Sequence, residues 1–157
     1  MAYQKLQARR ALAVITDNNI DIPNPAATAA SGQTSAATAN KLTDSSATFL
    51  NDNIKVGDIV YDTTTPAVTT VTAVDSDTVL SVATGIGNTK DYVIYSQTDN
   101  PSNGCVLFAG GAGDINLITV DGDTVLFKGI VAGQFLPVQV KRVKAANTSA
   151  TDIVALW

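Results

Sequence analysis

The side chains that could perform chemistry in this chain are almost all aspartates. The sequence has no histidine and a single cysteine, Cys105, and each of its 14 acidic residues is Asp. Without histidine, a serine or cysteine nucleophile would need Lys or Asp as its base, and no nucleophile-elbow motif surrounds any of them. Two aspartates could form a glycosidase pair, but aspartates scattered mostly in turns single out no two of them. The sequence therefore predicts no enzyme and no catalytic residue.

Three short motifs could bind a ligand, but local structure explains each of them. Asp75-Ser76-Asp77 and Asp121-Gly122-Asp123 do not continue into the series of oxygen ligands, ending in Glu, that an EF-type calcium loop needs. The run Gly110–Gly113 lacks the Lys-Ser/Thr of a P-loop and precedes a strand pattern. Cys105 has no cysteine or histidine partner and is expected to be a small buried hydrophobe. We expect two turns, a flexible hairpin or bulge, and no metal or cofactor.

Charge and hydropathy exclude further classes of partner. The net charge is −4 and the isoelectric point is near 4.5, whereas nucleic-acid binding needs a basic face. No apolar run approaches the ~18 residues of a membrane span. The N-terminus lacks the apolar core of a secretion signal, so the protein is expected to be either cytoplasmic or made in the cytoplasm and assembled there. We expect neither nucleic acid nor membrane as a partner.

The first ten residues are polar and basic, which predicts either a short helical turn or an arm that orders only on a partner. Simple fraying of the terminus is the alternative. If the arm docks on an acidic or polar surface, its contact residues are Tyr3, Lys5, Leu6, Arg9 and Arg10.

The stretch from Gly113 to Trp157 is predicted to form four short strands. Its Asp-Gly turn at 121–122, between two β-rich runs, is among the strongest hairpin signals. Val138 and Val140 share one face of a strand from which Val143 departs, and a bulge near Arg142 would explain the departure. Because Glu is absent and Thr, Val and Asp are abundant, strands are favoured over helices throughout.

Residues 41–96 are predicted to form a small β module of their own, with strands about ten residues apart and three lysines against seven aspartates. Residues 26–40 contain no large side chain and are predicted to be a linker or a loosely held loop. A turn-rich linker is expected at 97–103.

The two ends of the chain are predicted to form one domain. Residues 1–25 offer two strands, Ala11–Ile15 and Ile20–Ile22, without a hydrophobic partner of their own. Residues 104–157 alone would make a thin sheet with open edges. The predicted fold is thus all-β: a small antiparallel sandwich or barrel made of 1–25 and 104–157, discontinuous, with a second small β-barrel or sandwich inserted. Insertions at loop tips cost little.

Several segments of this predicted domain resemble the head-spike base proteins of gene transfer agents and tailed phages. The segments are Ala13–Pro23, Gly111–Ile115, Gly122–Val125, Ala132–Gly133, Leu136–Val138, Val140–Val143 and Thr151–Leu156. In shorter members of that family the Ile-Pro segment runs almost directly into the Gly-Gly strand, so the resemblance also implies an insertion here. The inserted residues resemble a small β module that recurs in phage structural proteins.

The resemblance implies a virion structural protein on the capsid surface, a head-spike base or decoration protein that anchors a spike or fibre. Its expected partners are the major capsid protein, the spike or fibre protein, and other copies of itself, five at a capsid vertex or three. Phe135, Leu136 and Trp157 are the candidate subunit interface, since apolar chain ends would otherwise lie exposed. One alternative is a tail, baseplate or fibre-attachment protein. Another is a glycan-binding host-contact module with Tyr61, Tyr92 and Tyr95 as stacking candidates.

Overall fold

The structure, a computed structural model, describes residues 8–97 and 104–157. The chain divides into two compact units, which we call unit 1 (Met1–Ile22 with Asn103–Trp157) and unit 2 (Pro23–Ser102). Almost all of their regular structure is antiparallel β-sheet, so the all-β prediction is confirmed. None of the helical structure in the described ranges is long and apolar enough to cross a membrane.

Twelve strands are formed by the described residues. In chain order they are β1 (Ala11–Ala13), β2 (Thr28–Gln33), β3 (Lys41–Thr43), β4 (Ile59–Asp62), β5 (Ala67–Val74), β6 (Val79–Val82), β7 (Asp91–Tyr95), β8 (Cys105–Ala109), β9 (Gly113–Thr119), β10 (Thr124–Ile130), β11 (Gln134–Val143) and β12 (Ile153–Leu156). A 3-10 turn at Pro25–Ala27 precedes β2.

Unit 1 is one six-stranded sheet in the order β1-β12-β8-β11-β9-β10. The predicted hairpin joins β9 to β10, and Gly122 takes the positive φ of 101° that its turn requires. The register of β11 against β9 shifts between Val140 and Arg142, so the predicted bulge is confirmed. Alternate residues of the central strands face a core that includes Leu107, Ile115 and Val140.

The prediction of a second strand near the start of the chain, at Ile20–Ile22, is wrong. This segment is an irregular loop that is tied to the end of β11 by hydrogen bonds. The Ile22 N–H donates to Lys141 O at 2.8 Å, and Arg142 donates from Nε to Asp21 Oδ1 at 2.7 Å and from Nη1 to Asn18 O at 3.0 Å. Only one of the two alternating isoleucines is buried. Ile22 lies in the core of unit 1, whereas Ile20 is half-buried.

Unit 2 is a six-stranded sheet in the order β2-β7-β4-β5-β6-β3. Its two edge strands approach each other. After β2, the Ser35 N–H donates to Thr43 O at 2.8 Å, and an isolated bridge joins Ala36 to Thr43 of β3. The sheet is therefore curled until its edges meet, around a core that includes Phe49 and Leu80.

The prediction that residues 26–40 form a linker is wrong, because they contain β2, which pairs with β7 along its length. At Gly32 the absence of a side chain is a packing requirement. A Cβ placed on Gly32 would lie 2.4 Å from Asp44 Oδ2 and 2.8 Å from the Tyr92 hydroxyl oxygen. Most of the other predicted linker, 98–103, lies outside the described residues.

Candidate interaction surface

The sheet of unit 1 is apolar on both of its faces at strands β8 and β12. Leu107 and Ala109 of β8, and Ile153 and Ala155 of β12, face the core. Because side chains alternate along a strand, the residues between them project from the opposite side. These are Val106 and Phe108 of β8 and Val154 and Leu156 of β12, all of them half-buried. A strand that is apolar on both sides is typical of one covered on both sides.

Strand pairing places Val154 beside Phe108, with Ala13 of β1 on one side of them and Phe135 of β11 on the other. We call these four side chains the outer apolar row. Phe135 closes the row on β11 and is 56% exposed. Its ring centroid lies 5.1 Å from that of Phe108, with the planes tilted by 57°. The row contains no ionisable side chain. It therefore offers an uncharged, partly aromatic surface, which suits contact with another protein.

Of the three predicted interface residues, only Phe135 is freely accessible. Leu136 is 1% exposed and pairs with Leu107 in the core, so its assignment to an interface is wrong. Trp157 packs in part against the core of unit 1. Its indole Nε1 is buried without a hydrogen-bond partner in the described part of the chain. The sequence could not show which of Phe135 and Leu136 faces outward, because a register shift of one residue moves each side chain to the other face of the sheet.

The predicted N-terminal arm is described only from residue 8 onward, so Tyr3, Lys5 and Leu6 lie outside the described residues. Arg9 and Arg10 have exposed positions beside the last strand. Their backbone N–H groups donate to Trp157 O at 2.5 and 3.3 Å, and the Trp157 N–H donates to Arg10 O at 3.0 Å. The backbone of these two residues thus extends the pairing of β1 with β12, and their docking role stays a prediction.

The motifs that could have bound ligands are occupied by internal contacts. The N–H groups of Gly110 and Gly111 donate to Asp152 O and Thr151 O at 3.0 and 2.8 Å, and so are not directed at a phosphate. A Cβ on Gly111 would lie 2.0 Å from Thr151 Oγ1, so the glycine-rich run is a close-packed connection. Among the described residues no three Asp or Cys side chains form a metal-binding group. Burial raises the pKa of the Cys105 thiol to about 12.

One cluster of reactive side chain types was not found from the sequence. Lys41 Nζ donates to Asp75 Oδ2 at 2.8 Å and to Ser81 Oγ at 2.7 Å, and Ser81 Oγ donates to the same carboxylate oxygen at 2.8 Å. The hydrogen bond from Lys41 is the main cause that lowers the pKa of Asp75. Lys41 is the donor in both of its hydrogen bonds, whereas a serine nucleophile needs a base that accepts its proton. The ion pair therefore joins β3 to the connection between β5 and β6, and the hydrogen bond from Lys41 to Ser81 joins β3 to β6.

The three tyrosines proposed as glycan-stacking candidates are all core residues. Tyr61, Tyr92 and Tyr95 are buried, and the rings of Tyr61 and Tyr95 contact each other edge to face at 5.5 Å between centroids. Stacking on a sugar needs an exposed ring face, so this prediction is wrong for all three.

Comparison of the chain with protein-family models, with curated protein sequences and with solved structures finds no significant match.

Proposed function

We propose that this chain is a non-enzymatic structural subunit of a tailed-phage-type particle, bound on the capsid surface as a head-spike base or decoration protein. The observation that carries the proposal is where the resembling segments fall. All of them, apart from Pro23, belong to unit 1, although residues 24–110 separate the first segment from the second. Most of these intervening residues, 24–102, belong to unit 2, which has its own sheet and its own core. This is the arrangement expected of a spike-base domain with an inserted module.

The outer apolar row supports a static contact role for unit 1. A row that combines Phe135 and Phe108 without any charge favours a protein surface over a nucleic acid or a small ionic ligand. Its natural counterpart in this proposal is the major capsid protein. Unit 2 would then be the accessory module that anchors the spike or fibre, and its excess of aspartates keeps it soluble.

Electron microscopy of the intact particle tests the placement. We expect density for both units on the capsid surface. Density found only on the tail or baseplate would contradict the proposal and favour the tail-protein alternative.

A binding assay on purified capsids tests the contact itself. Phe135→Asp should reduce occupancy, because a charge would be buried in an apolar contact. Leu50→Asp is the matched control, since Leu50 is equally exposed, at 59%, but lies in unit 2. Equal occupancy for the wild-type protein and Phe135→Asp would contradict the role of the outer apolar row.

A further inference from the structure

Strand β10 is an open edge of unit 1. It lies last in the strand order and, among the described residues, pairs only with β9. Val125 and Leu126 are each 39% exposed although they project from opposite faces of the sheet. The strand contains no proline, and its lysine, Lys128, and the register shift against β9 between Phe127 and Ile130 lie towards its end, so residues 124–127 offer an edge to which a further strand can be added.

The polar groups of this edge are arranged for a further strand. The Thr119 N–H donates to Asp123 O at 2.9 Å, which makes 119 and 123 a hydrogen-bonded pair. By alternation, the backbone groups of Val125 and Phe127 point towards β9. The N–H and C=O groups of Thr124, Leu126 and Lys128 then point away from the sheet, towards the open side.

Strand β10 of a second copy of the chain can pair antiparallel with this edge in a register that gives every outward-pointing residue a partner. When Leu126 lies opposite Leu126 of the other copy, each Thr124 lies opposite Lys128. All three outward-pointing residues then form hydrogen-bonded pairs. On the core side, each Val125 lies opposite Phe127 of the other copy, which extends the apolar cluster across the interface.

The charges of the strand also favour this antiparallel arrangement. Asp121 and Asp123 lie at its beginning and Lys128 at its end, all three exposed. Antiparallel pairing brings the acidic beginning of each strand beside the lysine-bearing end of the other, with Asp123 and Lys128 on opposite faces of the sheet. A parallel arrangement would place like charges together.

We infer that unit 1 associates with a second copy of this chain through β10, forming a two-fold dimer with one continuous antiparallel sheet centred on Leu126. The inference is independent of the proposed function, because it concerns the isolated protein. It predicts two copies, whereas the resemblance implied five or three.

Sedimentation equilibrium of the purified full chain is the first test. We expect a dimer at micromolar concentration for the wild-type protein. Leu126→Lys should raise the dissociation constant by about 30-fold or more, as for a central interface residue. Leu50→Lys, at a leucine of unit 2 that is more exposed (59% against 39%), should leave it unchanged, and thermal unfolding should show that both variants fold. A wild-type monomer, or a trimer or pentamer unaffected by Leu126→Lys, would overturn the inference.

Charge exchange tests the antiparallel direction. Lys128→Asp should raise the dissociation constant by about tenfold, and adding Asp121→Lys and Asp123→Lys to the same chain should restore it. A triple variant that is no tighter than Lys128→Asp would contradict the antiparallel arrangement.

Cross-linking tests the register and does not depend on the stability of a weakened variant. Paired residues of this kind have Cα atoms about 5.5 Å apart. A short bismaleimide should therefore join two copies of Leu126→Cys through thioether bonds. The buried Cys105 should not react, and Leu50→Cys should give only background. Efficient dimer cross-linking by Leu50→Cys and not by Leu126→Cys would overturn the register.

Discussion

Units 1 and 2 are both six-stranded antiparallel sheets, but they distribute their polar and apolar side chains in opposite ways. Of the large apolar side chains that are exposed in the described residues, five belong to unit 1 (Val120, Val125, Leu126, Val131 and Phe135) and two to unit 2 (Leu50 and Val56). The buried polar side chains show the reverse. Five belong to unit 2 (Thr34, Asp44, Asp58, Asp62 and Thr69) and one, Asn116, to unit 1.

Unit 2 uses its buried aspartates to hold its own turns. Asp62 accepts hydrogen bonds from the N–H groups of Thr64 and Thr65 at 2.9 and 2.8 Å, and Asp58 accepts one from the Lys55 N–H at 2.9 Å. Its edge strands also meet each other. Within the part of unit 1 that the structure describes, no such closure exists at β10, and apolar side chains are exposed there. The difference indicates that unit 2 is complete in itself, whereas unit 1 has surfaces suited to partners.

The largest effect on stability is expected when a core side chain is truncated in one unit at a time. Leu80→Ala in unit 2 and Leu107→Ala in unit 1, both fully buried, should each lower the free energy of unfolding of their own unit by about 2–5 kcal/mol, because each leaves a cavity. Hydrogen exchange read by mass spectrometry should show protection lost in the mutated unit only. Equal loss in both units would mean that they unfold as one.

The buried tyrosine of unit 2 tests its dependence on polar contacts. The Tyr92 hydroxyl donates to Asp44 Oδ2 at 2.7 Å. Tyr92→Phe should therefore cost about 1.5–3 kcal/mol, the usual value for a hydrogen bond to a charged group. Tyr95→Phe is the matched control, because it leaves Asp44 untouched. Urea unfolding should separate the two variants, and equal midpoints would contradict the role given to the Asp44 contact.

Acid should weaken unit 2 through Asp44. Burial alone would raise the pKa of Asp44, but hydrogen bonds from Ser46 and Tyr92 outweigh burial and hold that pKa below the ordinary value of an aspartate. A carboxylate with a lowered pKa in the folded state stabilises the fold above its unfolded pKa, and the contribution is lost as pH falls through the folded pKa.

We therefore expect the stability of unit 2 to fall as pH drops below about 4. Asp44→Asn should be less stable at neutral pH and show a shallower fall. Urea unfolding at a series of pH values measures both effects. An unchanged pH slope in Asp44→Asn would assign the acid sensitivity to other groups.

The smallest effect is expected at the ion pair that ties the N-terminal loop of unit 1 to β11. Arg142 and Asp21 are both partly exposed, so Arg142→Gln should cost about 1 kcal/mol or less. Lys41→Gln, which removes the partly exposed ion pair of unit 2, is the matched comparison. Thermal unfolding of both variants would show whether either unit depends on such pairs, and a loss of several kcal/mol would contradict this ranking.

The sequence by itself determined the features that depend on neighbours along the chain. Runs rich in Val, Ile and Thr between turn residues predicted most of the strands, including the four between Gly113 and Trp157. The Asp-Gly turn predicted the β9–β10 hairpin, and the break in alternation at Val143 predicted the bulge. These features could be read because turn chemistry and the two-residue period of a strand are local properties.

Only the tertiary structure decided the features that depend on residues remote in sequence. Strand β2 lacks the large apolar residues of a typical strand and is defined by its pairing with β7, and its Gly32 leaves space for Asp44 and Tyr92. Leu136 enters the core while Phe135 points outward, because their parity is set by pairing with β8. Likewise, the burial of all three candidate tyrosines and the exposure of β10 follow from strand order. Strand order and register arise from contacts between distant segments, which no local pattern contains.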